Sequence, residues 1–197
     1  MSFTEPDEPV PVELRTEEFM LRPITADDAE NDYRAVMETR EYLRLWEQSS
    51  WPAEDFTVEA NRQDLAGLEE RHSAHRAFTF TVLDPTGTEC LGCVYVFPTS
   101  AKFLANSAVT ALADDSWSEV DAVIYFWARL SRMQTRMDSR LLAALRRWFA
   151  TEWAFRTPVH VTNEEFRQQA ELLESTDLAL KFELVEPGKP GKYLVYG

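Results

Sequence analysis

Residues 120–128, VDAVIYFWA, and the residues that follow them, 129–149, RLSRMQTRMDSRLLAALRRWF, decide the fold of this chain. The first stretch is apolar throughout except for Asp121, and such a run is typical of a central strand that is covered on both faces. In the second stretch, Leu141 and Leu145 recur at helical spacing and indicate an amphipathic helix. Together the two stretches predict a strand, a loop and a helix in direct succession.

The rest of the chain alternates between the same two kinds of pattern. The predicted order is a strand, two helices, three strands, a helix, a strand, a helix and two strands. The corresponding segments are residues 19–22, 29–46, 56–72, 78–82, 90–97, 120–128, 141–153, 158–161, 164–175, 182–185 and 193–196. A hairpin followed by strands that alternate with helices predicts an α/β fold, in which a mixed sheet carries helices on both faces. Residues 98–119 are predicted to form a polar connection.

The composition limits the class of protein. A chain of 197 residues, 45% hydrophobic and 27% charged, is ordinary for one globular domain. Its net charge of −14 argues against nucleic acid or an anionic membrane as a partner. There is neither a long apolar run, as a membrane span requires, nor the basic and apolar start of a signal peptide. We therefore expect a cytoplasmic domain over residues 17–197, preceded by a flexible segment, residues 1–16.

Basic residues are concentrated in one part of this acidic chain. Six of the 20 arginines and lysines lie between residues 129 and 147, and Asp138 is the single acidic residue among them. The six are Arg129, Arg132, Arg136, Arg140, Arg146 and Arg147. Such a concentration would attract an anionic ligand. The alternative is an ordinary solvated helix face.

Several short motifs resemble the GNAT superfamily of N-acyltransferases, and they occur in that family's order and spacing. They are FMLRPI at 19–24 with ADDA at 26–29, the turn at Gly87 with LGCV at 91–94, and Asn163 ahead of LLE at 172–174. The resemblance covers residues 17–196. It implies a mixed, mostly antiparallel sheet of about seven strands with helices on both faces.

The resemblance also implies an acetyl-CoA-dependent N-acyltransferase that needs no metal. The residues that it implies for coenzyme A are Trp127, Ala128, Arg129, Gln134, Thr135, Arg136, Met137, Asp138, Ser139, Arg140 and Asn163. The family's pyrophosphate loop, Arg/Gln-x-x-Gly-x-Gly/Ala, is matched by residues 134–139, with Met137 and Ser139 at the glycine positions. We expect these two side chains to crowd the backbone amides that would face the phosphates, and the neighbouring arginines to compensate.

Acyl transfer from a thioester to an amine needs a positioned amine, a donor for the developing oxyanion and an acceptor for the amine's proton. By resemblance, the oxyanion donor is a backbone N–H of residues 123–128, where this strand separates from the next. Asp121 or Glu119 would be the base. The alternative for Asp121 is a solvated residue at the start of a strand, which is the more usual role of such a carboxylate. Leu173 occupies the position at which many family members carry a tyrosine that acts as the general acid and protonates the leaving thiolate. Either solvent or Tyr125 replaces that acid, or the domain is a silent module that binds coenzyme A or a partner protein.

An aromatic cluster is expected on the acceptor side. Tyr42, Trp46 and Trp51 lie near Glu47 and would suit a cationic amine. The alternative is plain helix packing. The expected partner is therefore a small-molecule or peptide amine, and a homodimer is left open.

The two cysteines invite two other interpretations. Cys90 and Cys93, together with His72 and His75, have a spacing that a structural zinc site could use. In a regular strand, however, Cys90 and Cys93 point to opposite faces, and a redox motif would open a helix instead. We therefore expect two free cysteines in the core and no metal, and we expect His160 to be a core residue as well.

Overall fold

The computed structural model describes residues 3–5 and 7–197 and contains one nine-stranded sheet over them. The strands are β1 (Leu14–Arg15), β2 (Met20–Pro23), β3 (Phe78–Leu83), β4 (Cys90–Phe97), β5 (Ala108–Ala111), β6 (Ala122–Ala128), β7 (Pro158–Asn163), β8 (Leu180–Val185) and β9 (Tyr193–Tyr196). The helices are α1 (Ala29–Glu47), α2 (Val58–Ser73), α3 (Lys102–Ala105), α4 (Leu130–Met133), α5 (Met137–Thr151) and α6 (Arg167–Glu174). The strand order is β1-β2-β3-β4-β6-β7-β9-β8-β5.

Neighbouring strands in this sheet run antiparallel with one exception. The exception is the pair β6 and β7, which is parallel because α5 crosses over between them. In the turn of the β3–β4 hairpin, the Asp84 carboxylate accepts backbone N–H groups from Thr88 and Glu89. Gly87 supplies the positive φ of 74° that this turn requires. The predicted class, a mixed and mostly antiparallel sheet, is confirmed.

The sheet has two strands more than the predicted seven. β1 pairs with β2, and β5 pairs with β8 at the opposite edge. β1 is only two residues long, and β5 is largely exposed and lacks an alternating apolar pattern. Neither strand therefore carries the periodicity by which strands are predicted, and both form because an open sheet edge offers backbone partners.

The N-terminal segment contacts the domain at two places. β1 lies inside the segment that was expected to be flexible, so the sheet begins before residue 17. Phe3 stacks on Phe155 with ring centroids 5.4 Å apart, and its backbone N–H donates to the His75 carbonyl. Residues 1, 2 and 6 of the predicted flexible segment lie outside the described residues.

Helices cover both faces of the sheet, as the sequence predicted. On one face, Trp46 of α1 packs on Tyr95 and Tyr125 with ring centroids about 6 Å away. On the other face, Phe80 contacts Trp148 of α5, with centroids 5.1 Å apart. Residues 29–46, where helical spacing was expected, form one continuous helix, α1.

Two further observations concern the described part of the chain. None of its helices combines the length and the apolar character that crossing a membrane requires. Within the same residues, no cluster of three or more His, Cys, Asp or Glu side chains has an arrangement that could hold a metal. Cys90 and Cys93 are both free and buried.

Candidate active site

The two central parallel strands separate part of the way along their length. β6 pairs with β7 at Ala122, Val123 and Ile124, the last of these opposite His160, and the pairing ends there. The last four residues of β6, Tyr125–Ala128, therefore have a strand neighbour on the β4 side alone. We call this opening the splay.

The direction of the backbone groups in the splay follows from two hydrogen bonds. Arg129, just past the end of β6, donates its N–H to Leu91 on the β4 side. Because backbone groups alternate in direction along a strand, the groups of Phe126 and Ala128 point the other way, into the splay. The Phe126 carbonyl confirms this, since it accepts the side-chain Nε2 of Gln169 from α6 at 2.8 Å. The N–H of Phe126 therefore faces the splay and is available to a ligand there.

A cavity of about 520 Å³ opens on the α1 side of the splay. Most of its lining is aromatic, and the rest is charged apart from one proline. The lining residues are Trp46, Glu47, Trp51, Tyr95, Phe97, Phe103, Tyr125, Glu186, Pro187, Lys189 and Tyr193. Aromatic faces together with carboxylates suit a cationic amine.

Two carboxylates and one ammonium give the cavity its electrostatic character. Lys189 Nζ lies 2.8 Å from Glu47 Oε1, which leaves Glu186 as the carboxylate without an ion pair among the described residues. Burial raises the pKa of Glu186 to about 7, with a further contribution from the negative charge of Glu47, while Lys189 opposes the increase. Glu186 thus exchanges its proton near neutral pH, which is the range that a general base needs.

Tyr125 lies where the cavity meets the splay, as the first residue of β6 after the pairing with β7 ends. Its hydroxyl is buried and makes no hydrogen bond of 3.5 Å or shorter among the described residues, but it lies close enough to the Glu186 carboxylate for each group to shift the pKa of the other. Burial, together with the negative charge of Glu186, raises the pKa of Tyr125 well above its ordinary value. The phenol is therefore protonated at neutral pH and can donate to a ligand.

The residues expected to contact the acceptor are only partly brought together. Trp46 and Trp51 line the cavity beside Tyr125. Tyr42 does not line it, because its ring packs on Phe166 instead, with centroids 5.5 Å apart. Tyr42 lies one helical turn before Trp46 on α1, and that turn faces the segment between β7 and α6.

Asp121 lies away from the cavity, at the opposite end of β6 from the splay. Its carboxylate accepts the backbone N–H groups of Arg156 and Thr157 at 2.6 Å and 3.1 Å. Glu119 precedes it and does not line the cavity either. The carboxylate that does lie beside Tyr125 is Glu186, which the sequence analysis missed. A carboxylate next to the Pro187-Gly188 turn gives no sequence signal, because its place on the cavity wall depends on the pairing of β8 and β9.

The loop after β6 presents only some of the free backbone amides that were expected of it. Its residues form α4 and a turn, and the N–H groups of residues 130–133, 135 and 136 donate to acceptors within the chain. Leu130 and Ser131 donate to the side chains of Thr39 and Glu38, and the others donate to backbone carbonyls. Among the described residues, the N–H groups of Met137 and Asp138 have no hydrogen-bond acceptor.

The arginines of this region are mostly paired with the protein's own acids. Arg129 lies 2.6 Å from Glu38 and 3.1 Å from Glu89, and Arg132 also pairs with Glu89. The other two pairs are Arg140 with Glu18 and Arg146 with Asp177. The arginine stretch is thus largely neutralised. Its remaining cations are Arg136 and Arg147, which are exposed and form no ion pair among the described residues.

The loop backbone has its strained conformation one residue before the position where the motif has its first glycine. The positive φ of 59° that a loop glycine would favour occurs at Arg136, not at Met137. Met137 is buried in the core, so its side chain does not crowd a ligand as expected.

The remaining residues that were implied for coenzyme A have varied surroundings. Trp127 is buried on the α1 face, and its Nε1 donates to the Tyr95 hydroxyl at 3.4 Å. Gln134 and Thr135 are exposed in the turn. Asn163 joins the end of β7 to α1, because its Nδ2 donates to the Leu45 carbonyl at 2.6 Å. Asn163 therefore has a structural role in this arrangement.

Solved structures with a similar fold are acetyltransferases, although neither a family model nor a curated protein matches the chain. The ribosomal-protein-S5-alanine acetyltransferase of Vibrio fischeri superposes with a TM-score of 0.68 at 19% identity, over 94% of this chain and 95% of that one. RimL, a ribosomal L7/L12 alpha-N-protein acetyltransferase in complex with coenzyme A, gives 0.67 at 16% identity over 96% of both chains. The microcin C7 self-immunity acetyltransferase MccE, in complex with acetyl-CoA and AMP, gives 0.67 at 12% identity over 92% of both. The chain therefore has the fold of the GNAT acetyltransferases.

Proposed function

We propose that this protein transfers an acetyl group from acetyl-CoA to an amine. The observation that carries the proposal is the position of the splay, whose free backbone opens directly beside an aromatic cavity that bears two carboxylates. The GNAT fold supports it, because solved structures with this fold include acetyltransferases in complex with coenzyme A or acetyl-CoA.

In the proposed reaction, the thioester lies in the splay and the amine lies in the cavity. The N–H of Phe126 donates to the thioester oxygen as negative charge develops on it. Glu47 and Glu186 attract the acceptor as an ammonium ion, and Glu186 removes a proton so that the nitrogen can attack. The C–N bond forms and the C–S bond breaks. Tyr125 protonates the departing thiolate and regains a proton from the acetylated nitrogen, and Glu186 releases its proton to solvent.

The acceptor we propose is a primary amine with an apolar neighbouring group. The aromatic lining offers contact area to such a group, whereas the carboxylates offer charge to the nitrogen. Both a peptide N-terminus and a small amine fit this description, and similar folds occur in acetyltransferases of ribosomal proteins and in a microcin immunity enzyme.

The experiment that tests this function measures free thiol released from acetyl-CoA in the presence of a panel of amines, with the acetylated product identified by mass spectrometry. The panel includes peptides with free N-termini, arylamines and small aliphatic diamines. We expect release that depends on the amine, and a loss of at least about a hundredfold in kcat for Glu186→Gln.

The matched control is Glu183→Gln. Glu183 lies on β8, three residues before Glu186, and pairs with Lys192 outside the cavity. This variant should retain the wild-type rate. If no amine stimulates thiol release by the wild-type protein, or if both variants lose activity equally, the proposed function is wrong.

A further inference from the structure

Asp138 lies in the first turn of α5, and both of its carboxylate oxygens have partners in the chain. Oδ1 accepts the backbone N–H of Ser139 at 2.9 Å, and Oδ2 accepts Nε2 of Gln168 from α6 at 3.1 Å. The residue is buried, with 8% of its surface exposed. The start of a helix favours negative charge, because its first N–H groups have no acceptor within the helix. Here the protein itself supplies that charge.

Few charged groups around Asp138 are free to attract a second anion. Most N–H groups of the preceding loop donate within the chain, and Arg129, Arg132 and Arg140 are paired with acids. Arg136 is the one cation of the loop, residues 129–140, without an ion pair among the described residues. The N–H groups of Met137 and Asp138 have no acceptor among the described residues, but a diphosphate bound to them would lie in the same helical turn as the buried Asp138 carboxylate.

The splay offers a different kind of partner. Phe126 and Ala128 direct backbone groups into it. The Gln169 side chain on α6 donates a hydrogen bond to the Phe126 carbonyl. The Oε1 atom of Gln169 is buried and has no partner. Amide groups of a ligand could pair with these groups, because each offers a neutral donor or acceptor. The pantetheine arm of coenzyme A carries two amides and no charge, so Asp138 does not repel it.

We infer that Asp138 takes the place of the donor's diphosphate at the start of α5, so that the protein binds its acyl donor through the pantetheine arm alone. The donor class is then an acylated pantetheine thioester, and the nucleotide half of coenzyme A adds little to affinity. Asp138 is thereby a specificity-determining residue for the donor. The inference rests on the proposed function, because that function assigns the splay to a thioester.

Calorimetric titration of the full chain with three probes tests this inference. The probes are coenzyme A, pantetheine and adenosine bisphosphate, which represents the nucleotide half. For the wild-type protein we expect dissociation constants for coenzyme A and pantetheine within about threefold of each other, and no measurable binding of the nucleotide. For Asp138→Asn we expect coenzyme A to bind at least about tenfold more tightly, with pantetheine unchanged.

Two additional variants keep the test decisive. Asp138→Ser is also neutral and suits the first turn of a helix, so it replaces the asparagine variant if that variant does not fold. Asp177→Asn is the matched control, because Asp177 pairs with Arg146 of α5 outside the loop. It should leave all three affinities unchanged. A wild-type preference for coenzyme A over pantetheine of about tenfold or more would refute the inference alone. So would an unchanged coenzyme A affinity in both neutral variants. If neither coenzyme A nor pantetheine binds to any variant, the proposed function fails as well.

Discussion

The pH dependence of the proposed reaction should follow the ionisation of Glu186, and two neighbouring charges should shift it in opposite directions. The pKa of Glu186 is raised from 4.5 to about 7 by burial and by Glu47, and Lys189 opposes the increase. Only about a tenth of Glu186 is ionised at about pH 6, and about nine tenths at about pH 8. We therefore expect kcat/KM to rise about tenfold between these values.

Removing each neighbouring charge tests the origin of this pKa. Glu47→Gln eliminates a like charge, so the inflection of the profile should move to lower pH, by about one unit. Lys189→Met eliminates an opposite charge, so the inflection should move to higher pH by a similar amount. A merely structural role for either residue would change the rate and leave the inflection where it is.

The assay is thiol release from acetyl-CoA with an arylamine acceptor, because an arylamine remains neutral over this range and adds no titration of its own. Glu183→Gln serves as the control, with an unchanged profile, and circular dichroism verifies that each variant is folded. A flat wild-type profile would refute the assignment of Glu186 as the base. An inflection that stays in place in both Glu47→Gln and Lys189→Met would refute the electrostatic argument.

Three predictions concern stability. Burial, and secondarily the charge of Arg146, lowers the pKa of His160 from 6.5 to about 4. The unfolded chain therefore binds more protons between these values, and stability is lost as the pH falls from about 6.5 towards 4. Urea unfolding measures this loss. Between about pH 7 and pH 4.5, the free energy of unfolding should fall by about 2–3 kcal/mol more in the wild-type protein than in His160→Leu. An equal decrease in both proteins would contradict the argument. Arg136→Gly should raise the free energy of unfolding by about 1 kcal/mol, because the exposed Arg136 has a positive φ of 59°; unchanged or lower stability would argue against strain there. Gly92→Ala should lower it by about 1–3 kcal/mol, because the added Cβ would collide with the backbone carbonyl of Trp127; a thermal melt at the wild-type temperature would show that β4 moves aside freely.

Much of the architecture could be predicted from local patterns. Residues 120–128 contain β6, the central buried strand, since a strand covered on both faces must be apolar at almost every position. The turn chemistry around Gly87 and the helical spacing of Leu141 and Leu145 likewise gave the hairpin and α5. β1 and β5 could not be predicted, because their pairing depends on an available sheet edge and not on their own side chains.

The sequence by itself determined the order of the seven predicted strands and of the longer helices, the buried strand, and the aromatic residues Trp46, Trp51 and Tyr125 that meet in the cavity. Only the tertiary structure decided which charges act there. It paired most of the arginine stretch with acids distant in sequence, such as Glu18, Glu38 and Glu89, and it placed Asp121 on backbone amides outside the cavity. It brought Glu186 to the cavity wall through the pairing of β8 and β9. The physical reason is the distance along the chain over which each kind of interaction acts. Periodicity and turn chemistry act over a few residues, whereas the burial and pairing of a charge depend on segments that meet only when the sheet is complete.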